Sequence, residues 1–157
     1  MFLCDAFPLE LIKIGLEADD KDEVFEELVD HFCQVTKNNA RGEILEALKE
    51  RESKMSTGIQ KGIAVPHCKT GAVDKIFGIL GISKNGIDYD ALDGEPVYLI
   101  FMVLIPEADS GNQLRLLKRL AELFNNPQFH TELLAQNNPE GANRIIKKHE
   151  DIYLASE

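Results

Sequence analysis

A short glycine-containing stretch brings together the residue types that can bind and transfer a phosphoryl group. It reads RESKMSTGIQKGIAVPHCK from Arg51 onward. The small residues Ser56, Thr57 and Gly58 can expose backbone N–H groups and hydroxyls, which together hold an anion. An arginine precedes them, and the ionisable imidazole of His67 follows. The stretch is therefore a candidate phosphate site that carries its own nucleophile.

His67 is the candidate nucleophile, because histidine titrates near neutrality and one ring nitrogen can attack phosphorus while a hydrogen bond holds the other. Phosphoryl transfer then requires alignment and donors for the equatorial oxygens. Arg51 can supply a fork of charge-assisted bonds. Ser56 and Thr57 can supply hydroxyls or N–H groups, and Gly58 permits a close approach of the backbone.

Both ends of the stretch also have purely structural interpretations. Arg51 falls at the carboxyl end of a predicted helix, where the exposed carbonyls favour a cation. His67 can equally be a histidine at a strand end that is satisfied by a neighbouring carbonyl. The residues alone leave these alternatives open.

Other chemistry fits the stretch less well. Adjacent side chains on an extended segment point to opposite faces, so His67 and Cys68 do not form a nucleophilic dyad, and Cys68 is expected in the core. A metal site needs several ligands at consistent spacing, and His67 has one close candidate. The glycines match neither a P-loop nor a dinucleotide fingerprint. We therefore predict no metal and no nucleotide-binding loop.

Composition narrows the class of protein. The chain has 157 residues, 44% of them hydrophobic and 28% charged, which predicts one globular domain over residues 1–157. Its 17 basic and 27 acidic side chains give a net charge of −10, which argues against binding to nucleic acid or to an anionic membrane surface. Three cysteines without a CxxC motif are typical of a reducing compartment. With no signal peptide and no apolar run of membrane-helix length, we expect a cytoplasmic protein that does not insert into the membrane.

The apolar pattern predicts the elements that precede the stretch. Alternation over residues 12–16 indicates a short half-buried strand. Asp19 or Asp20 can cap a helix over residues 21–36, which has one continuous apolar face. A second helix over residues 41–52 ends next to the candidate site.

The elements after the stretch are a sheet and then helices. A buried strand is predicted over residues 73–83, a turn over residues 84–86, and a strand that is apolar on both faces over residues 97–105. Residues 107–111 are predicted to form a loop. Strands that alternate with helices, one of them buried on both sides, predict an α/β sheet covered by helices on both faces.

Three helices complete the predicted chain. An amphipathic helix is expected over residues 112–124, and shorter ones over residues 128–135 and 139–148. On the two shorter helices His130 and His149 are expected to be exposed. The side chains predicted to face inward from the first of these helices are Leu114, Leu117, Leu120, Ala121 and Phe124.

The stretch closely resembles the active-site signature of the EIIA domains of the fructose/mannitol type in the bacterial phosphotransferase system, including the nitrogen-regulatory branch. The resemblance continues through residues 87–109, IDYDALDGEPVYLIFMVLIPEAD, and covers essentially the whole chain. The residues that match the family signature are Arg51, Glu52, Ser56, Thr57, Gly58, Ile59, Gly62, Ile63, Ala64, Val65, Pro66 and His67.

The resemblance implies a fold, a reaction and partners. The fold would be a three-layer α/β sandwich with a mixed sheet of about five strands. His67 would accept phosphate from an HPr-like carrier and pass it to a cysteine of an EIIB domain, or keep it as a regulatory mark. Arg51 would be the phosphate-charge partner, and Thr57 and Gly58 would line the pocket. Carriers of this kind need no cofactor.

One position departs from the family pattern. Where the family commonly has a second active-site histidine before the amphipathic helix, this sequence has Gln113. The glutamine amide can donate a hydrogen bond to a phosphate oxygen or to the ring of His67, but it cannot carry a proton.

Two functions follow as hypotheses. The first is a phosphoryl carrier that works through His67. The second is a regulatory binding module of the nitrogen type, in which the phosphorylation state of His67 changes the protein partner.

Overall fold

Six α-helices and six strands make up the computed structural model, which describes residues 1–109 and 111–156. A single 3-10 turn over Leu9–Leu11 precedes the first strand. The helices are α1 (Leu3–Ala6), α2 (Lys21–Thr36), α3 (Arg41–Lys54), α4 (Asn112–Phe124), α5 (Pro127–Leu134) and α6 (Pro139–Ala155). The strands are β1 (Ile12–Ile14), β2 (Gly58–Gln60), β3 (Ile63–Ala64), β4 (His67–Thr70), β5 (Phe77–Ile87) and β6 (Val97–Pro106).

The strands form one mixed sheet in the order β1-β5-β6-β3-β2, with β4 also paired to β6. β5 and β6 are antiparallel, whereas β1 runs parallel to β5, and β3 and β4 run parallel to β6. The predicted α/β fold with a mixed sheet is confirmed, with six strands among the described residues in place of about five.

Helices cover both faces of this sheet. Side chains of α1, α4, α5 and α6 pack on one face, which we call the α4 face. Side chains of α2 and α3 pack on the other, which we call the α3 face. The central strand β6 contributes alternate residues to the two cores, so it is buried on both sides, as its sequence predicts. Its residues on the α4 face are Leu99, Phe101, Val103 and Ile105, and those on the α3 face are Val97, at the start of the strand, and Ile100, Met102 and Leu104.

β3 and β4 lie end to end along β6, like one strand interrupted at Val65 and Pro66. Proline has no N–H to give to the ladder, so the regular pairing breaks there. The Pro66 carbonyl still accepts a hydrogen bond from the N–H of Val103, at 2.9 Å. Pairing resumes at His67, which lies opposite Val103. The interruption thus falls immediately before the candidate nucleophile.

One prediction about the sheet is wrong, and the loop predicted after its central strand is described only in part. Residues 84–86, predicted as a turn, lie inside β5. Gly86 has a φ of 87°, and the register with β6 shifts between Ile82 and Ile87, so the glycine allows an irregularity within a continuing strand. The predicted loop over residues 107–111 includes Ser110, which lies outside the described residues.

The predicted inward face of α4 is correct for Leu120 and Phe124 and wrong for Leu114 and Ala121, and Leu117 is partly buried against the core. Leu114 is 74% exposed and Ala121 is exposed, whereas the buried residues are Leu116, Leu120, Leu123 and Phe124. Leucines occur at helical spacing on two neighbouring stripes of this helix, so the sequence pattern alone does not select one. The last helix is also longer than predicted, and its His149 is 3% exposed because it packs on Phe129 and bonds to Glu132.

A buried carboxylate joins the first helix to the last. Glu150 of α6 is 1% exposed and accepts the N–H of Leu3 with its two oxygens, at 2.9 and 2.8 Å. Arg119 of α4 pairs with the same carboxylate at 2.9 Å. Since a buried charge is costly unless it is paired and hydrogen-bonded, this clamp fixes three elements together.

Within the part of the chain that the structure describes, no helix has the length and apolar character needed to cross a membrane.

Candidate functional site

His67 begins β4 and is half-buried on the α4 face of the sheet, because it lies opposite Val103, whose side chain belongs to that core. Its Nδ1 lies 2.8 Å from the carbonyl oxygen of Val65. A carbonyl can only accept, so Nδ1 carries the proton, and in the neutral ring the free lone pair is on Nε2. The structure thus gives His67 the arrangement that a nitrogen nucleophile needs.

Cys68 lies on the opposite face of the same strand. It is 6% exposed within the core under α2 and α3, and burial raises the pKa of its thiol to about 12. The thiol is therefore protonated at neutral pH and points away from the ring of His67. This confirms Cys68 as a core residue.

Thr57, predicted to offer its donors to an anion, is 3% exposed and turned toward the interior. Its N–H donates to Glu52 Oε2 at 2.8 Å, and its hydroxyl donates to Glu52 Oε1 at 2.7 Å. The Tyr89 hydroxyl lies 2.8 Å from Thr57 Oγ1. Both donors of Thr57 are thus bonded to Glu52 inside the protein, and these bonds fix the loop between α3 and β2 to α3.

Glu52 is the centre of a buried polar cluster that the sequence did not reveal. The residue is 9% exposed, and Lys21 at the start of α2 pairs with its Oε2 at 3.0 Å. The Lys21 ammonium also lies 4.9 Å from the centre of the Tyr89 ring. Burial, and then the charge of Glu52, raise the pKa of the Tyr89 phenol well above its usual range. Residues 21, 52 and 89 come together only in the fold, and the sequence signals were the place of Glu52 in the family signature and of Tyr89 in the second stretch that resembles the family.

Gly58 allows the segment after β5 to pack closely against the loop. A Cβ at Gly58 would lie 2.8 Å from the Cβ of Ala91 and 2.9 Å from Cδ1 of Tyr89. The Gly58 carbonyl accepts the N–H of Leu92 at 2.9 Å. Ser56, which is half-buried, accepts the Gly58 N–H with its hydroxyl oxygen at 3.2 Å. The close approach predicted for Gly58 is thus made to another part of the protein.

Arg51 lies in the last turn of α3, where one of its guanidinium nitrogens donates to the carbonyl of Met55 at 3.0 Å. This is the helix-terminal role that its position suggested. The guanidinium has five N–H donors, of which this bond engages one. Its charge opposes the rise in the pKa of Tyr89, which burial and Glu52 cause.

Gln113 is the second residue of α4, and its N–H donates to the Asp109 carboxylate at 2.9 Å. α4 covers the face of the sheet from which His67 projects, so Gln113 and His67 lie on the same side of the sheet. Arg51, at the end of α3, comes from the other side. The six predicted site residues therefore come from helices on both sides of the sheet, α3 and α4, from the loop after α3, and from the strands β2 and β4.

Exposed apolar side chains occur on the elements that carry these residues. Leu114 follows Gln113 on α4, and Met55 and Ile59 flank the loop of Thr57. Their exposed fractions are 74%, 61% and 41%, and Leu92, which bonds to Gly58, is 61% exposed. Among the described residues, no three His, Cys, Asp or Glu side chains are grouped so that they could hold a metal ion.

The chain matches one protein family along most of its length. Residues 5–149 match the model of the family described as "Phosphoenolpyruvate-dependent sugar phosphotransferase system, EIIA 2". The chain belongs to this family.

Curated relatives fall into two groups. The fructose-specific EIIABC component of Bacillus subtilis is 37% identical over 139 residues, which are 88% of this chain and 22% of that protein, so the chain spans about a fifth of that relative. The fructose-specific EIIA component of Haloferax volcanii is 33% identical over 88% of this chain and 90% of its own length. A nitrogen regulatory protein of Bradyrhizobium diazoefficiens is 30% identical over 93% of this chain and 95% of its own length.

Solved structures share the fold. The nitrogen regulatory protein IIA-Ntr from Neisseria meningitidis superposes with a TM-score of 0.84 at 29% identity, over 92% of this chain and 98% of that one. Enzyme IIA-mannitol of Escherichia coli, solved in complex with phosphorylated enzyme IIB-mannitol, gives a TM-score of 0.75 at 14% identity, over 90% and 97% of the two chains. The second likeness concerns the fold alone.

Proposed function

We propose that this protein is a phosphoryl carrier of the phosphotransferase system that accepts the phosphoryl group on Nε2 of His67. The observation that carries the proposal is the 2.8 Å hydrogen bond from Nδ1 to the Val65 carbonyl, which leaves the lone pair of Nε2 free. Membership of the EIIA family, over residues 5–149, supports the reaction class and a single domain of this kind over residues 1–157.

The transfer conserves charge and protons without another reactant. The Nε2 lone pair attacks the phosphorus of a phosphohistidine on the donor and forms a new N–P bond. The donor's own N–P bond breaks, and its electron pair returns to the donor nitrogen. The proton on Nδ1 stays in place, where the Val65 carbonyl stabilises the positive charge that develops on the ring.

The predicted site residues receive roles in this proposal that agree with their positions. The guanidinium of Arg51 and the side-chain amide of Gln113 would approach the phosphate oxygens from the two layers. Ser56 would do so from the loop. Thr57 and Gly58 would act by fixing that loop, because their polar and steric contacts are with Glu52, Tyr89 and Ala91.

The proposed donor is an HPr-like carrier, and the proposed acceptor is a cysteine of an EIIB domain. Support for the acceptor comes from the mannitol enzyme IIA, which was solved with its phosphorylated enzyme IIB. The exposed side chains of Met55, Ile59, Leu92 and Leu114 are apolar groups that such partners could contact. The three free cysteines support a cytoplasmic location.

A regulatory role is the second candidate. It is favoured by the nitrogen regulatory relative from Bradyrhizobium diazoefficiens, which the match covers over 95% of its length. In this role the phosphorylation of His67 would change the protein partner, so the two functions share the same first step.

The experiment for the carrier function is phosphorylation with phosphoenolpyruvate, enzyme I and an HPr. We expect an acid-labile, base-stable adduct in wild type and in His31→Ala, and none in His67→Ala. His31 is a suitable control because it is a partly exposed helix histidine that bonds to the Glu10 carbonyl, away from β4. Phosphorus NMR should identify the adduct as Nε2-linked. Failure to label with a range of HPr donors, or labelling that survives His67→Ala, would contradict the proposal.

The regulatory function is tested by affinity capture with wild type, His67→Ala and His67→Asp. A phosphorylation-dependent switch predicts different partners for the neutral and the acidic substitution. The same partners with all three proteins would count against it.

A further inference from the structure

A continuous line of contacts leads from the start of α2 to the ring of His67. The Lys21 ammonium is 3.0 Å from Glu52 Oε2, which accepts the N–H of Thr57 at 2.8 Å. The Thr57 carbonyl accepts the N–H of Val65 at 3.0 Å. The Val65 carbonyl then accepts Nδ1–H of His67 at 2.8 Å.

The residues of this line are poorly accessible to water. Glu52, Thr57 and Val65 are 9%, 3% and 9% exposed. Water therefore cannot readily replace a partner that is lost, and each contact constrains the next. Thr57 and Val65 lie outside the strands, so the Thr57–Val65 bond fixes backbone that the sheet ladder does not hold.

The position of the Val65 carbonyl decides which ring nitrogen is free. A neutral imidazole has two tautomers, and only a well-placed acceptor at Nδ1 selects the one with its lone pair on Nε2. Pro66 interrupts the regular pairing at this point, so the Thr57–Val65 bond acts together with the bond from Val103 to the Pro66 carbonyl to place the Val65 carbonyl.

We propose that Glu52 is a positioning residue for phosphoryl transfer, and that it acts through Thr57 and Val65 to present Nε2 of His67 to the donor. Lys21 holds the Glu52 carboxylate in place. The part of this inference that concerns transfer rests on the proposed function. The part that concerns the ring of His67 does not.

Two substitutions separate the reach of Glu52 from its charge. Glu52→Gln keeps the length of the side chain and one carbonyl acceptor for the Thr57 N–H, but loses the charge. Glu52→Asp keeps the charge for Lys21 but withdraws the carboxylate by one methylene group. Positioning predicts that Glu52→Gln remains closer to wild type than Glu52→Asp, whereas a purely electrostatic role predicts the reverse order.

The matched control is Glu150→Gln. Glu150 is also a buried carboxylate that accepts a backbone N–H with two oxygens and pairs with a cation. No residue of the line to His67 bonds to it. A loss of stability alone, without an effect on the site, is therefore the result expected of this variant.

The first measurement is nitrogen-15 NMR of the His67 ring in the unphosphorylated protein. We expect the Nδ1–H tautomer in wild type, Glu52→Gln and Glu150→Gln, and mixed tautomers in Glu52→Asp. The second measurement is the rate of transfer from a phosphorylated HPr. Here Glu52→Asp should lower the rate at saturating donor about tenfold or more, with little change in the donor's KM, since misplacement of a reacting group slows the chemical step.

The outcomes are distinct. A Glu52→Asp protein that is folded, with the wild-type tautomer and the wild-type rate, overturns the inference, as does equal impairment in Glu150→Gln. If no HPr donor phosphorylates wild type, the proposed function fails while the tautomer comparison still decides the positioning of His67. If Glu52→Asp does not fold, Thr57→Val decides, because Glu52 holds Thr57 by two bonds and this variant removes the one from the Thr57 hydroxyl to Oε1. It should broaden the His67 tautomer signals, and a folded Thr57→Val protein with the wild-type tautomer overturns the inference.

Discussion

Replacing Gly58 by alanine distinguishes two explanations for this glycine. The sequence suggests that it admits a phosphate, whereas the structure shows that it admits the segment around Tyr89 and Ala91. A methyl group at this position would lie 2.8 Å from the Cβ and 3.0 Å from the Cα of Ala91. Atoms at these separations overlap, and the Cα belongs to the backbone, so no side-chain rotation relieves the clash.

The expected cost follows from that overlap. Gly58 does not have a positive φ, so alanine introduces no backbone strain there and the penalty is steric. Overpacking of a well-packed site costs about 1–3 kcal/mol in the free energy of unfolding. For a domain of this size we expect the midpoint of thermal unfolding to fall by about 2 to 12 °C.

The assay is thermal and urea unfolding, followed by circular dichroism, with Gly42→Ala as the control. Gly42 lies in the first turn of α3, and a Cβ there would meet nothing within 4 Å. Alanine is the better helix former, so this substitution should raise stability by up to about 1 kcal/mol. If Gly58→Ala unfolds at the wild-type temperature and affects only phosphorylation, the packing explanation is wrong and the ligand explanation is favoured.

Three further predictions concern titrating groups. Since the pKa of Tyr89 is raised above its ordinary 10.0, first by burial and then by Glu52, the unfolded chain loses this proton before the folded protein does. The stability advantage of wild type over Tyr89→Phe, about 1 kcal/mol near neutrality, should therefore shrink above about pH 10 in urea titrations. Because burial raises the pKa of Cys68 to about 12, iodoacetamide at pH 8 should leave this cysteine unmodified until the protein is unfolded, as peptide mass spectrometry can show. Hydrogen bonds from Lys148, and then from His149, lower the pKa of Glu132 from its ordinary 4.5 to about 2. The stability that Glu132 adds relative to Glu132→Gln should thus be complete above pH 4.5 and vanish as the pH falls through 2, which thermal unfolding at a series of pH values would check.

The long, strongly patterned elements could be predicted from the sequence. The helix over Lys21–Thr36 has the predicted bounds, and the strand predicted over residues 97–105 is one residue longer. The helix has a regular apolar period and a capping Asp20, and the strand is a continuous apolar run that ends at Pro106. The short strands β2, β3 and β4 were not predicted, because their two to four residues show no clear apolar alternation, whereas the equally short β1 lies in an alternating stretch.

Which side of a helix is buried was harder to predict than where the helix lies in the sequence. The leucines of α4 fit two stripes, and only contact with the sheet selects the one that includes Leu116 and Leu123. His149 lies on a polar helix, so the sequence predicts exposure, but packing on Phe129 buries it. In each case the deciding partner is distant in the sequence.

In the candidate site, too, features set by neighbouring residues could be predicted, and features set by residues distant in the sequence could not. The choice of His67, and the expectation that a hydrogen bond holds one of its nitrogens, came from residue type and spacing. The inward orientation of Thr57 did not, because it depends on a carboxylate that Lys21 and Tyr89 help to hold, and these residues meet only after folding. The hydrogen bond at one nitrogen of His67 could therefore be expected from the sequence, whereas the contacts that orient Thr57 could not.

The clamp between Glu150 and Leu3 has a consequence for the order of events during synthesis. The two residues are 147 positions apart, so the ribosome must add Glu150 before the first helix can find its partner. Until then Leu3 and Phe7 lack part of the core that Ile146 completes, and the α4 face of the sheet is covered incompletely on the nascent chain. The contacts between α2 and α3 are local in the sequence and can form earlier. The helices of the α3 face can thus pair with each other early, whereas the core of the α4 face is complete only after the last helix has been made.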